Sequence, residues 1–198
     1  MRIAASALLI LALVAPSHAL AQEPPSDREY AVWSAVIDTA LVSPRVRRVV
    51  VQDTTVPGDR RRATGPFERR SLTRQRDATP LPAELLEAFA HANEAPSRLD
   101  PARFRTKVRV QVLSQAGSQN LPARDDHDAW SEMRDGGFKG SSGVVKLSRV
   151  GFTGDGRTAL VFVSYYCGGL CAEETYYVLE LGSDGGWRVT RLYTTSVS

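Results

Sequence analysis

The spacing of hydrophobic positions changes along this chain, and each change predicts an element. Tyr30, Trp33, Ile37 and Leu41 recur at three- and four-residue steps, the apolar stripe of an α-helix. Ser26-Asp27-Arg28-Glu29 ahead of them is a capping box, in which the serine hydroxyl and the glutamate carboxylate each satisfy an orphan N–H of the first turn. The helix runs to about Leu41, and Ser43-Pro44 ends it. Val46 to Asp53 reads as a strand centred on Val49-Val50-Val51, where β-branched side chains favour the pleated state. A second helix, Ala83 to Asn93, sets Leu85, Leu86, Phe89 and Ala92 on one side. Phe104 to Ser114 alternates Val108, Val110 and Val112 with Lys107, Arg109 and Gln111, the pattern of a strand with one wet face. A short third helix, Asp126 to Arg134, carries Trp130 and Met133, and a glycine-rich linker follows from Gly136 to Gly143.

The last third is the clearest. Val144–Phe152, Thr158–Cys167, Glu174–Leu181 and Trp187–Thr194 read as consecutive strands, joined by the turns GDG at 154–156, GGL at 168–170 and GSDGG at 182–186. Helices and strands are partly segregated and hairpin turns dominate the end. The expected class is therefore α+β, with about three helices on one face of an antiparallel sheet that ends in a four-stranded meander. No repeat or second domain is visible, so residues 22–198 are expected to form one domain.

Residues 1–21 read as a cleaved leader rather than part of the fold. Arg2 precedes an apolar run from Ile3 to Ala15, and Ala19-Leu20-Ala21 offers a cleavage site before Gln22. The run is too short for a bilayer core of about 30 Å, so the protein is not expected to be transmembrane. The chain is expected in the periplasm or outside the cell. The formal net charge of +3 drops to +2 without Arg2, too weak for bulk nucleic-acid binding. In an oxidising compartment, Cys167 and Cys171 across a three-residue turn predict one disulfide.

Candidate chemistry is sparse, and each feature has a plainer reading beside the functional one. Cys167-Gly-Gly-Leu-Cys171 could be a redox centre, but thiol oxidoreductases place C-x-x-C at a helix N-terminus, and a hairpin tip favours a structural bridge. Asp125-Asp126-His127-Asp128 could bind a cation, yet acidic residues also gather where a helix begins. His91 lies on the second helix, and Gly140-Ser141-Ser142-Gly143 lacks a nucleophile elbow. Arg60, Arg61 and Arg62 belong to a long basic loop at about 54–80, either mobile and solvated or a contact for an anionic surface or acidic partner. Glu173 and Glu174 must point to opposite faces of their strand, so they cannot pair as a carboxylate site and read as surface polar residues. Tyr165, Tyr166, Tyr176 and Tyr177 are adjacent in the middle hairpin. They either pack across strands or present an outward ligand- or partner-binding face. No cofactor or metal site is expected.

YAVWSAVIDTAL at 30–41 with VVVQDTT at 49–55, LSRVGFTGDGRTALVFVSYYCGGLCAEETYYVLEL at 147–181, and GGWRV at 185–189 together resemble a family of bacterial secreted proteins without an assigned activity. Thr153 stands where that pattern has asparagine, and Ala172 and Glu173 stand where it tends to glycine. The resemblance implies a secreted domain and transfers no residue roles. The closing hairpin also resembles that of cone-shaped NTF2-like domains. Three functions follow as expectations. The first is a non-enzymatic binding domain for a small ligand or an envelope protein. The alternative is a small hydrolase or isomerase with a cone-like pocket holding Asp38, Asp53, His91 or His127. The third is a chaperone or inhibitor acting through the arginine loop.

Overall fold

The computed structural model describes residues 23–56, 80–114, 116–117, 120–122, 126–141, 143–168 and 171–197. Residues 1–22, which include the expected leader, and the stretch 57–79 with Arg60, Arg61 and Arg62 lie outside them. Among the described residues the fold is α+β: three α-helices and a mixed, open sheet of seven strands. Helix α1 (Asp27–Val36) continues into a π-helical turn, Ile37–Leu41. Strand β1 (Arg48–Gln52), helix α2 (Ala83–Ala92), a 3₁₀ turn at Pro101–Arg103, strand β2 (Arg109–Leu113) and helix α3 (His127–Asp135) follow. The chain closes with β3 (Val144–Leu147), β4 (Gly151–Phe152), β5 (Thr158–Tyr166), β6 (Ala172–Leu181) and β7 (Trp187–Val197).

The strand order is β2-β1-β3-β5-β6-β7, with β4 also pairing β5. The expected antiparallel sheet is corrected here. β3, β5, β6 and β7 do form an antiparallel meander, but β1 pairs parallel to both β2 and β3. A parallel pair needs a long crossover, which the chain from Gln52 to Arg109, including α2, supplies for β1 and β2. Three strand bounds also change. The expected strand Val144–Phe152 is broken at Ser148-Arg149-Val150, because those residues bond to α1 and α2 instead of continuing the ladder. Phe104 precedes β2 and packs under α1, and the ladder begins only at Arg109. β7 continues past Thr194 to Val197, kept in register beside β6 by two bulges.

The helices do not share one face. Ala159, Val161, Val163, Tyr177 and Leu179 pack beneath α1 with Trp33, Val36 and Ile37. Leu160, Tyr176, Val178 and Tyr193 pack on the other side beneath α2 with Leu85 and Phe89. Strand alternation requires this split once both faces are covered. On that second face α3 sets the buried Trp130 edge-on to Tyr166, with ring centroids 4.7 Å apart.

Helix α1 is tied down at both ends. The capping box forms as its sequence predicts, with the Ser26 N–H donating to Glu29 at 2.8 Å and the Glu29 N–H donating to the Ser26 hydroxyl at 3.3 Å. Glu29 is also the partner of a buried arginine. Arg149 Nε donates to Glu29 Oε1 at 2.6 Å and Nη2 donates to Oε2 at 3.0 Å, while Nη1 reaches Glu23 O and Ser97 Oγ. Trp33 Nε1 donates to Ser148 O at 3.0 Å, fixing the helix over the break between β3 and β4. Gly151 is glycine because a Cβ there would lie 2.5 Å from the backbone of Phe89, so α2 can approach this closely over no other residue.

Candidate functional site

Helix α1 follows the length of β5 and β6. Its N-terminal end is held where Arg28 lies 4.3 Å over the Phe152 ring and donates to Gly156 O, at the GDG turn. Its far end meets the disulfide end of the same hairpin. There the α-helical pitch gives way to the π-turn Ile37–Leu41, and Val42 leaves in extended conformation. A π-turn adds a residue per turn and is a frequent companion of functional sites. Ile37 is still buried in the core, while Ala40 and Leu41 stand off the sheet over a cavity of about 280 Å³. Ala40 is small enough to leave that space open.

The cavity is lined by Ala40, Leu41, Ser43 and Val46 from the π-turn side, and by Val163, Tyr165, Glu173, Thr175 and Tyr177 from the sheet. Glu173, Thr175 and Tyr177 alternate along β6 and therefore share one face. The Thr175 hydroxyl donates to Glu173 Oε1 at 2.6 Å. Its oxygen is 3.1 Å from the Thr194 hydroxyl, which must then be the donor of that pair. Burial pushes the Tyr177 phenol up from its ordinary value, and the negative charge of Glu173 adds to this. The phenol stays protonated through the neutral range and serves as a hydrogen-bond donor. Among the described residues that line the cavity, Glu173 is the only charged side chain.

The four tyrosines divide between the covered faces. Tyr165 and Tyr177 lie on the α1 face, Tyr166 meets Trp130, and Tyr176 packs on Phe89 at 5.8 Å and on Phe162 at 4.9 Å. Tyr176 and Tyr177 are buried on opposite faces of the sheet, and the Phe162–Tyr176 contact is cross-strand packing. Glu174, next to Glu173, lines a separate cavity on the opposite face with Lys146, Ser164 and Tyr166.

The remaining candidates stand apart. Cys167 and Cys171 are bonded, with Cα atoms 5.1 Å apart, and the bridge closes the β5–β6 hairpin. Asp126 is the N-cap of α3, its carboxylate accepting from the Ala129 N–H at 3.0 Å. Asp128 is exposed, and Asp125 lies outside the described residues, as does the side chain of His127. His91 is exposed on α2 with Nδ1 3.4 Å from Glu94. Asp38 accepts from the Lys107 N–H at 2.8 Å. Ser141 bonds back to Gly143 within the linker, and Ser142 lies outside the described residues. Asp53 lines a wider, open cleft with Arg98, Asp100 and Ser114, and its Oδ1 is buried without a partner. Asp38 on the α1 side and His91 on α2 are on opposite sides of the sheet, so the four residues suggested for a catalytic pocket do not converge. Among the described residues, no three His, Cys, Asp or Glu side chains come together as a metal shell.

The lining residues Ala40, Leu41, Ser43, Val46, Val163 and Thr175 were not anticipated from sequence, and Glu173 was read there only as a surface polar residue. One signal was present. Glu173 and Thr175 occupy the strand face that carries the buried Tyr177 and Leu179, and polar residues on a core-facing row mark a gap in the core. No family model, curated protein or solved structure matches this chain.

Proposed function

We propose that this protein is a non-enzymatic binding domain, exported to the periplasm or the cell exterior, which holds a small ligand in the cavity beneath the π-turn. The observation that carries the reading is the convergence of Glu173, Thr175 and Tyr177 on a cavity of about 280 Å³ whose lining mixes polar and apolar side chains. A few placed polar groups beside apolar walls are the usual make-up of a ligand site, and the size is just below the usual range of roughly 300–1,000 Å³, which suits a small ligand. The chemistry is that of recognition. A protonated phenol can donate, a carboxylate can accept, and among the described lining residues no nucleophile–base pair stands beside them. The disulfide Cys167–Cys171 supports an oxidising compartment. No helix among the described residues is long and apolar enough to cross a membrane.

Native mass spectra test this. The protein is taken from its own compartment without reductant, beside an Ala40→Phe variant whose ring fills the cavity. The expected result is a polypeptide beginning near Gln22 with its bridge intact, carrying a retained small molecule that the variant has lost. Equal retained mass in both proteins would place the ligand elsewhere. Bare masses in both, with no thermal shift from a panel of small metabolites, would contradict the reading.

A further inference from the structure

The lining of the same cavity also specifies its occupant, an inference that rests on the ligand-binding reading above. Three features matter together. Glu173 places one negative charge at the mouth, with no lining cation to neutralise it. Its Oε1 is already held by the Thr175 hydroxyl, so the carboxylate has a fixed direction and a second oxygen for a ligand. Two tyrosine rings, Tyr165 and Tyr177, form the wall beside it, and aromatic walls next to a carboxylate favour organic cations through the ring quadrupole.

The third feature lies outside the cavity. Leu192 is 52 % exposed, the large hydrophobic residue of the described chain left open to solvent. A single exposed leucine is ordinary, but its position here is not arbitrary. Leu192 pairs directly with Tyr177 across β6 and β7, so the two side chains rise from the same face of the sheet. The contact between Thr175 and Thr194 confirms that face, since Thr194 is two residues beyond Leu192. An apolar step therefore leads from the Tyr177 wall of the cavity onto open surface.

We infer that the ligand is a compact organic ammonium ion carrying an apolar chain. The ammonium group sits beside Glu173 within the tyrosine wall, and the chain leaves the cavity across Leu192. An anionic ligand is repelled by Glu173, and a neutral ligand gains nothing from the charge of that exposed carboxylate, which stays solvated beside it.

Titration calorimetry with three probes of one length tests the assignment: hexylammonium, hexanol and hexanoate. Hexylammonium is expected to bind about tenfold more tightly than hexanol, with hexanoate weakest. Glu173→Gln retains an acceptor for Thr175 and should erase the preference for ammonium over alcohol. Leu192→Ser should weaken hexylammonium but leave ethylammonium unchanged, because only the longer chain reaches position 192. Thermal melts of each variant report whether it is folded. Equal binding of hexanol and hexylammonium, or a preference for hexanoate, overturns the cation assignment while the cavity remains a ligand site. If none of the probes binds, the assignment fails. The native spectra of the wild-type and Ala40→Phe proteins then decide separately whether the cavity reading falls with it.

Discussion

Arg149 is 8 % exposed and Glu29 is 4 % exposed, yet neither lacks a partner. The guanidinium donates to both carboxylate oxygens, to Glu23 O and to Ser97 Oγ, while its own backbone N–H is taken by Asn93 Oδ1 at 2.7 Å. Glu29 additionally accepts from the Ser26 and Val150 N–H groups. A buried pair with this degree of satisfaction joins the N-cap of α1 to the β3–β4 break. Replacing only one member leaves the other charge stranded, which costs about 3–5 kcal/mol. Arg149→Met is therefore expected to lower the unfolding free energy by about that amount in urea titrations. The double variant Glu29→Leu/Arg149→Met should be markedly less destabilised than the single one. A double-variant loss equal to the sum of the Glu29→Leu and Arg149→Met losses would show that the pair is not coupled. These residues were legible in sequence only as a capping box and an SRVGF string. Nothing local in Glu29 or Arg149 announces a partner 120 positions away.

Among the elements, the strand β1 and the β5–β6 hairpin teach different lessons. Val49, Val50 and Val51 are all buried, an unbroken apolar run of the kind that strands covered on both faces carry. That run was read as β propensity, whereas it also signalled a central position with helices on both sides. The hairpin was fully legible, because its turns and alternation are local. The π-turn was not, since the stripe Tyr30, Trp33, Ile37, Leu41 fits a continuous α-helix equally well. The hairpin's bridge closes a very short loop, and the chain-entropy estimate gives it about 2 kcal/mol. Reduction, or the Cys167→Ser/Cys171→Ser variant, is expected to lower stability by about that amount. It should also weaken ligand binding, because Glu173 is only two residues from the bridge. Unchanged affinity after reduction would show that the bridge does not hold the carboxylate in place.

At the scale of the molecule, a mixed sheet is covered on one face by α1 and on the other by α2 and α3. The cavity opens where α1 ends before the sheet does. Fold class was legible, because the segregation of strands into the last third dominates the pattern. The parallel addition of β1 and β2 was not, since strand order depends on crossovers that leave no local mark. The buried phenols give the whole fold a pH signature. Burial raises Tyr30 and Tyr177 above the ordinary 10.0. A group whose pKa is raised on folding contributes stability that is fully present below its unfolded value and lost as pH rises through its folded one. Stability should thus fall as pH rises above about 10, and Tyr177→Phe should remove part of that slope in urea midpoints measured across the alkaline range. An unchanged slope would mean that Tyr177 is not desolvated.

The measurement that bears most directly on the central claim is a methyl-resolved NMR titration of the oxidised protein with hexylammonium. The account predicts shifts confined to Leu41, Val46, Val163 and Leu192, the methyl groups around and beside the cavity, and their loss in Ala40→Phe. Shifts centred on Leu85, Leu160 and Val178 across the sheet, or no shifts at all, would contradict it.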